Sequence, residues 1–212
     1  MSGEFLYRME SVLSLYALPY NADEPIICFD EKPYQMLEHL EMPLPVRPGH
    51  AAKIDYHYKR AGVCQILCAV EPRAGWRYVE VRERKTKIDY AEFMQALADK
   101  YPNAKRIHVV QDNLNTHTPG AFYEAFDGQT ARKLTERFVF HHTPVKASWL
   151  NIAEIELACL SKNCLERRLP NMKTVNKQLQ IRVDYRNNQN AKIDWRFDLL
   201  IARQKFKKYY KN

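Results

Sequence analysis

Apolar and polar positions alternate along the 212-residue chain in a way that marks out its elements. Phe5, Met9, Val12, Leu13 and Tyr16 recur at helical spacing, which predicts a helix over 4–17. Residues 21–25 break it. Pro25-Ile26-Ile27-Cys28-Phe29-Asp30 is an unbroken apolar run closed by an acid, the pattern of a strand covered on both faces. The stretch 33–50 holds Pro33, Pro43, Pro45, Pro48 and Gly49 and reads as irregular and partly extended. Strand signals return at 55–58 and 63–70. A turn at 71–75 and a strand at 76–81 make 63–81 an antiparallel hairpin. Residues 89–100 carry Phe93, Met94 and Leu97 on one helical face and stop at Pro102 and Asn103. Residues 106–112 form a second apolar run that ends in an acid. A helix between two such strands is the crossover of a parallel pair.

Further along, 113–120 is a polar loop. Helices are expected near 120–126 and 130–136, a short strand at 138–140 and a loop at 141–146. A long helix is predicted over 151–168, another from there to residue 185, and a last one over 198–210. No repeat or linker divides the chain. The fold class is therefore α/β: a mixed sheet of an antiparallel hairpin plus parallel strands, flanked by helices, in one domain over 1–212.

Composition narrows the function. Hydrophobic residues make up 46%, which excludes wholesale disorder, and no apolar run is long enough to span a bilayer. The five cysteines have no CxxC spacing, as expected of reduced core thiols in a cytoplasm and not of a zinc site. Lys and Arg outnumber Asp and Glu by 33 to 25, giving a net charge of +8 and a pI near 9.2. That balance permits polyanion binding. The excess concentrates in the tail, where Arg196, Arg203, Lys205, Lys207, Lys208 and Lys211 face the single acid Asp198.

The candidate chemistry lies in carboxylates. Two strands each finish in Asp, at Asp30 and Asp112. As parallel neighbours about 4.8 Å apart, their side chains are placed to share a hard divalent cation at the carboxyl end of the sheet. The segment Ser148-Trp149-Leu150-Asn151-Ile152-Ala153-Glu154-Ile155-Glu156 offers a third acid. Glu154 and Glu156 diverge by about 200° on a helix, so only one can face the site. If Ile152, Ile155 and Cys159 form the buried stripe, Glu154 lies beside it and Glu156 points away, which selects Glu154. Blander readings stand beside these. A strand-end Asp is often a turn residue, and Asn151 with Glu154 three later has the form of a capping box. His117, His141 and His142 are either ligands or ordinary hydrogen-bonding loop residues.

The words CFDEKP, VVQDNLNTHT, HHTP and SWLNIAEIEL, in this order, resemble the catalytic domain of mariner-related bacterial insertion-sequence transposases, the "six-thirty" insertion-sequence group. The resemblance runs from residue 5 to 210. It implies a DDE-type nuclease on a ribonuclease-H-like fold, with Asp30, Asp112 and Glu154 as the catalytic acids holding two Mg²⁺ or Mn²⁺ ions. It implies double-stranded DNA as partner, both element ends and target, and a homodimer on that DNA beside the bacterial nucleoid. Lys32, Asn113, His117, Lys146 and Trp149 then approach DNA or support the acids. The gap from Asp112 to Glu154 exceeds that of mariner-type relatives, and an insertion over 128–136 accounts for it. Relatives carry an N-terminal helix-turn-helix region. Here the first catalytic strand begins by residue 25, so that region is expected to be absent. The rival expectations are an inactive DNA-binding remnant and a nuclease for RNA:DNA hybrids.

Overall fold

The computed structural model describes residues 1–41, 44–52 and 55–211; Pro43 lies outside them. Helix α1 (Gly3–Ala17) opens the chain, its first turn capped by Ser2, which accepts from Phe5 N. Strand β1 (Ile26–His39) follows, then β2 (Tyr58–Glu71) and β3 (Trp76–Arg82). Helix α2 (Lys87–Lys100) starts at a capping box between Thr86 and Asp89. Strand β4 (Ile107–Gln111), helices α3 (Gly120–Ala125) and α4 (Gly128–Arg137), and strand β5 (Phe138–His142) complete the sheet. Its order is β3-β2-β1-β4-β5, with β1, β2 and β3 antiparallel and β1, β4 and β5 parallel. The mixed sheet flanked by helices is the architecture the sequence predicts.

Strand alternation sends successive residues to opposite layers. Ile27, Phe29 and Val109 pack under α2, α3 and α4. Cys28 and Val110 pack against α1 and the start of α5 (Ala153–Leu160). Cys68 and Val79 meet α5 and α6 (Met172–Asn188). The last helix, α7 (Leu199–Lys205), lies along α1. The hairpin turn between β2 and β3 needs Gly75. Its φ is +73°, and a Cβ there would come within 2.5 Å of the Asn190 backbone.

Several boundaries differ from the sequence expectation. Strand β1 does not end at Asp30 but runs to His39, through Pro33. Beyond Cys28, β1 pairs with β2 alone among the described strands, so the missing Pro33 N–H lies on an open edge. The link after α5 closes part of that edge, where Leu37 N donates to Leu169 O. Residues 55–57 are not strand; β2 begins at Tyr58. The helix expected over 151–168 is instead a 3₁₀ turn (Ser148–Leu150), α5 and a π turn (Ser161–Leu165). Ser161 Oγ donates back to Leu157 O while Glu166 N reaches Ser161 O, which opens the helix by one residue. The tail helix stops at Lys205 and is followed by a 3₁₀ turn (Lys207–Tyr209).

Candidate active site

The parallel ladder ends at Cys28 opposite Val110. Continued by two residues, that register sets Asp30 opposite Asp112 at the carboxyl end of the sheet. Both follow the parity of Cys28 and Val110, on the layer where α5 begins. Glu154 stands in the first turn of α5. Its capping-box reading fails: no side chain closes a box there. Asn151 Oδ1 accepts from Ala153 N instead, and its amide donates to Phe29 O at 2.7 Å and, at 3.4 Å, to Asp30 Oδ2. Asn151 thereby ties the start of α5 to the strand that carries Asp30.

The selection of Glu154 by a stripe of Ile152, Ile155 and Cys159 needs correction. The inward face of α5 is Ala153, Glu156, Leu157 and Leu160, and Ile155 is 44% exposed. Glu156 does not point away. It is fully buried, with Arg186 Nε and Nη2 each donating at 2.8 Å and Arg77 Nη2 at 3.4 Å. The buried Arg77 and half-buried Arg186 reverse the expectation, because a paired carboxylate can occupy a core position. Glu154 is exposed, and its charge reaches Asp30.

The two aspartates are tuned in opposite directions. Burial pushes the Asp30 carboxyl up to about 7; a hydrogen bond from Glu31 N opposes this, and the charges of Glu154 and Asp112 add to it. Asp112 is held below the usual carboxylate range by His117, whose Nδ1 donates to Asp112 Oδ1 at 2.6 Å, against the opposite pull of burial. Burial disfavours a charge on His117, but Asp112 and Glu31 outweigh it and raise the imidazole above its ordinary value. Glu31 acts there across 3.7 Å, as a charge and not as a hydrogen bond, which leaves His117 Nε2 without a partner among the described residues. Lys85 pairs with Glu31 at 2.9 Å and completes the chain.

The other expected residues are spread around this centre. Lys32 lies two residues beyond Asp30 and donates to Ser161 Oγ at 2.7 Å. Asn113 is exposed, with a long 3.4 Å contact to Thr143 O. Lys146 is exposed at φ +62°, and Trp149 is 42% exposed. His142 donates to the Asp112 carbonyl at 3.1 Å, whereas His141 bonds to His108 at 2.9 Å and takes no part in the acid group. Sequence reasoning missed Glu31, Asn151, Lys85 and Ser161. Glu31 adjoins Asp30 and Asn151 precedes Glu154 by three, so both sat inside the words already singled out.

Carboxylate oxygens are donors for hard cations such as Mg²⁺ and Mn²⁺. The donor set fits: burial, with the charges of Glu154 and Asp112 added to it, pushes Asp30 up, and no ion pair offsets it or Glu154 among the described residues. The acids are not drawn tight. Among the described residues, no three His, Cys, Asp or Glu side chains are gathered closely enough to hold an ion, and Asp112 is engaged by His117.

Residues 25–176 match the family model described as DDE superfamily endonuclease. No curated protein matches the chain by sequence. Among solved structures, the Mos1 mariner paired end complex with Mn is 19% identical, with a TM-score of 0.58 over 90% of this chain and 59% of that one. The Mos1 transposase paired-end complex with left transposon end gives 18% identity and 0.58 over the same shares. The Mos1 Strand Transfer Complex gives 17% and 0.58 over 88% of this chain and 56% of that one. The chain thus spans under six-tenths of the length of these structures. At such identity the likeness is one of fold, the ribonuclease-H-like one.

Proposed function

The chain belongs to the DDE superfamily endonucleases, and on that premise we propose that it is the catalytic domain of a mariner-related transposase of the bacterial "six-thirty" insertion-sequence group. In this reading it cuts and joins double-stranded DNA with two Mg²⁺ or Mn²⁺ ions. The observation that carries it is the parallel register Cys28↔Val110, which, continued by two residues, would bring Asp30 level with Asp112 on the layer where α5, with Glu154 in its first turn, begins. That all five strands form one sheet supports a single catalytic domain over 1–212. The Mos1 complexes with transposon ends support element-end DNA as partner and two copies on that DNA.

Asp30, Asp112 and Glu154 would hold the cations. Bound there, divalent ions supply the Lewis acidity that activates a water or a DNA 3′-hydroxyl and neutralises the leaving oxygen. The chain's other residues prepare that centre. Asn151 orients Asp30, and His117 keeps Asp112 ionised and aimed. The Glu31–Lys85 pair lies behind His117, and Lys32 places a positive charge beside Asp30 for a phosphate. The carboxylates act as ligands, so no covalent protein–DNA link forms.

The test is manganese-dependent nicking of duplex DNA by the wild-type chain and by Asp30→Asn, Asp112→Ala and Glu154→Gln. The reading expects nicking in the wild type and its loss in each variant; a variant that cuts at the wild-type rate overturns the assignment. A second reading, an inactive DNA-binding remnant, has one observation on its side: the acids are not gathered among the described residues. It expects salt-dependent DNA binding and no nicking.

A further inference from the structure

The basic tail is not a loose end. Arg203 grips Glu10 of α1 with Nε and Nη2 at 2.8 and 2.7 Å, and Tyr210 donates to the same carboxylate at 2.7 Å. Phe197 and Phe206 pack against the α1 core. This anchoring arranges a row of rings. Phe197 stands 5.3 Å from Trp149, Trp149 6.4 Å from Phe206, and Phe206 6.5 Å from Tyr209. The ends of the row are open, with Trp149 42% and Tyr209 39% exposed. Ammonium groups are interleaved with the rings: Lys205 lies 5.8 Å from the Phe197 centroid and Lys208 4.9 Å from that of Tyr209. Along the chain, Trp149 precedes by two residues Asn151, whose amide contacts Asp30 Oδ2 at 3.4 Å.

We propose that this aromatic and lysine strip holds single-stranded DNA, stacking unpaired bases on Trp149 and Tyr209 while the lysines meet the backbone. The proposal deepens the reading above, on which it rests, by naming the form of DNA taken beside the acidic centre. Duplex DNA shows phosphates and hides its base faces, so lysines alone answer it. Exposed rings set among fixed ammonium groups answer a strand whose bases are free. A second copy of this chain is a poorer occupant, since Lys205, Lys207 and Lys208 would face their own like charges.

The test is fluorescence anisotropy of the full chain with labelled oligo-dT and with a labelled duplex of equal length, in EDTA to prevent cutting. Tyr209→Ser changes an exposed residue on the tail, and Trp149→Ala removes the exposed ring at the other end of the row; circular dichroism verifies that each stays folded. Each is expected to weaken oligo-dT binding about fivefold or more, the effect of losing one stacked base, with duplex affinity little changed. Equal losses on both DNAs, no loss on either, or a self-association abolished by Tyr209→Ser overturns the proposal. Because no cleavage is measured, a chain that binds oligo-dT through the strip but never nicks DNA contradicts the nuclease reading alone.

Discussion

Glu154 and Glu156 stand two residues apart on α5 in opposite electrostatic settings. Glu156 is fully buried, and Arg77 and Arg186 answer its charge. Glu154 is exposed, no ion pair answers it among the described residues, and its charge reaches Asp30. A compensated carboxylate fastens one helix to another, here α5 to α6 and β3. The charge of the unpaired Glu154 instead adds to the burial that raises Asp30, an arrangement that a bound cation would relieve. The comparison separates an acid whose charge is answered within the fold, Glu156, from one that no ion pair answers among the described residues, Glu154.

The sharpest way to break this contrast is Asp112→Ala. Nicking should fall to background while duplex binding, measured by gel shift in EDTA, persists; lost binding with retained nicking would dissolve the distinction. Next in size, Glu156→Ala strands the buried Arg77 and deprives the half-buried Arg186 of its partner, and should cost about 3–5 kcal/mol in denaturant unfolding. The same change at Glu154 should cost little, since nothing pairs with it among the described residues. Equal costs would show that the two acids are not different in kind.

A smaller effect follows from protons. Asp30 has its folded pKa raised to about 7 from an unfolded value near 3.8. A raised carboxyl contributes stability that is full below the unfolded pKa and is lost as pH rises through the folded one. The metal-free melting temperature should therefore decline between about pH 4 and 7, and Asp30→Asn should flatten that slope. Added Mn²⁺ should raise the melting temperature more at pH 8 than at pH 5. The smallest expected effect is a control remote from both acids. Asn171 caps α6 by accepting from Thr174 N at 2.9 Å. Asn171→Ala should cost about 1 kcal/mol without changing nicking.

Much of the sheet was legible because the apolar runs at 26–30, 63–70 and 107–111 carry their own signal. The crossover helix was legible from Phe93, Met94 and Leu97. The length of β1 was hidden, since Pro33 is a breaker by local rules and is tolerated only where the neighbouring edge is open. The inward face of α5 was hidden for a related reason. A Glu reads as a surface residue until Arg77 on β3 and Arg186 on α6, both distant in sequence, are known to meet it. The two aspartates were legible as strand ends, but the opposite tuning of their protons depends on the burial of Asp30 and on the His117 bond to Asp112, which exist only in the folded chain.

The most direct measurement is a crystal of the chain soaked in Mn²⁺, read for anomalous density. The account predicts density bridging Asp30 and Asp112 within reach of Glu154, with the Asp112–His117 bond lengthened or re-aimed. An empty acidic centre with Asp112 still on His117, under conditions where DNA is nicked, would contradict it.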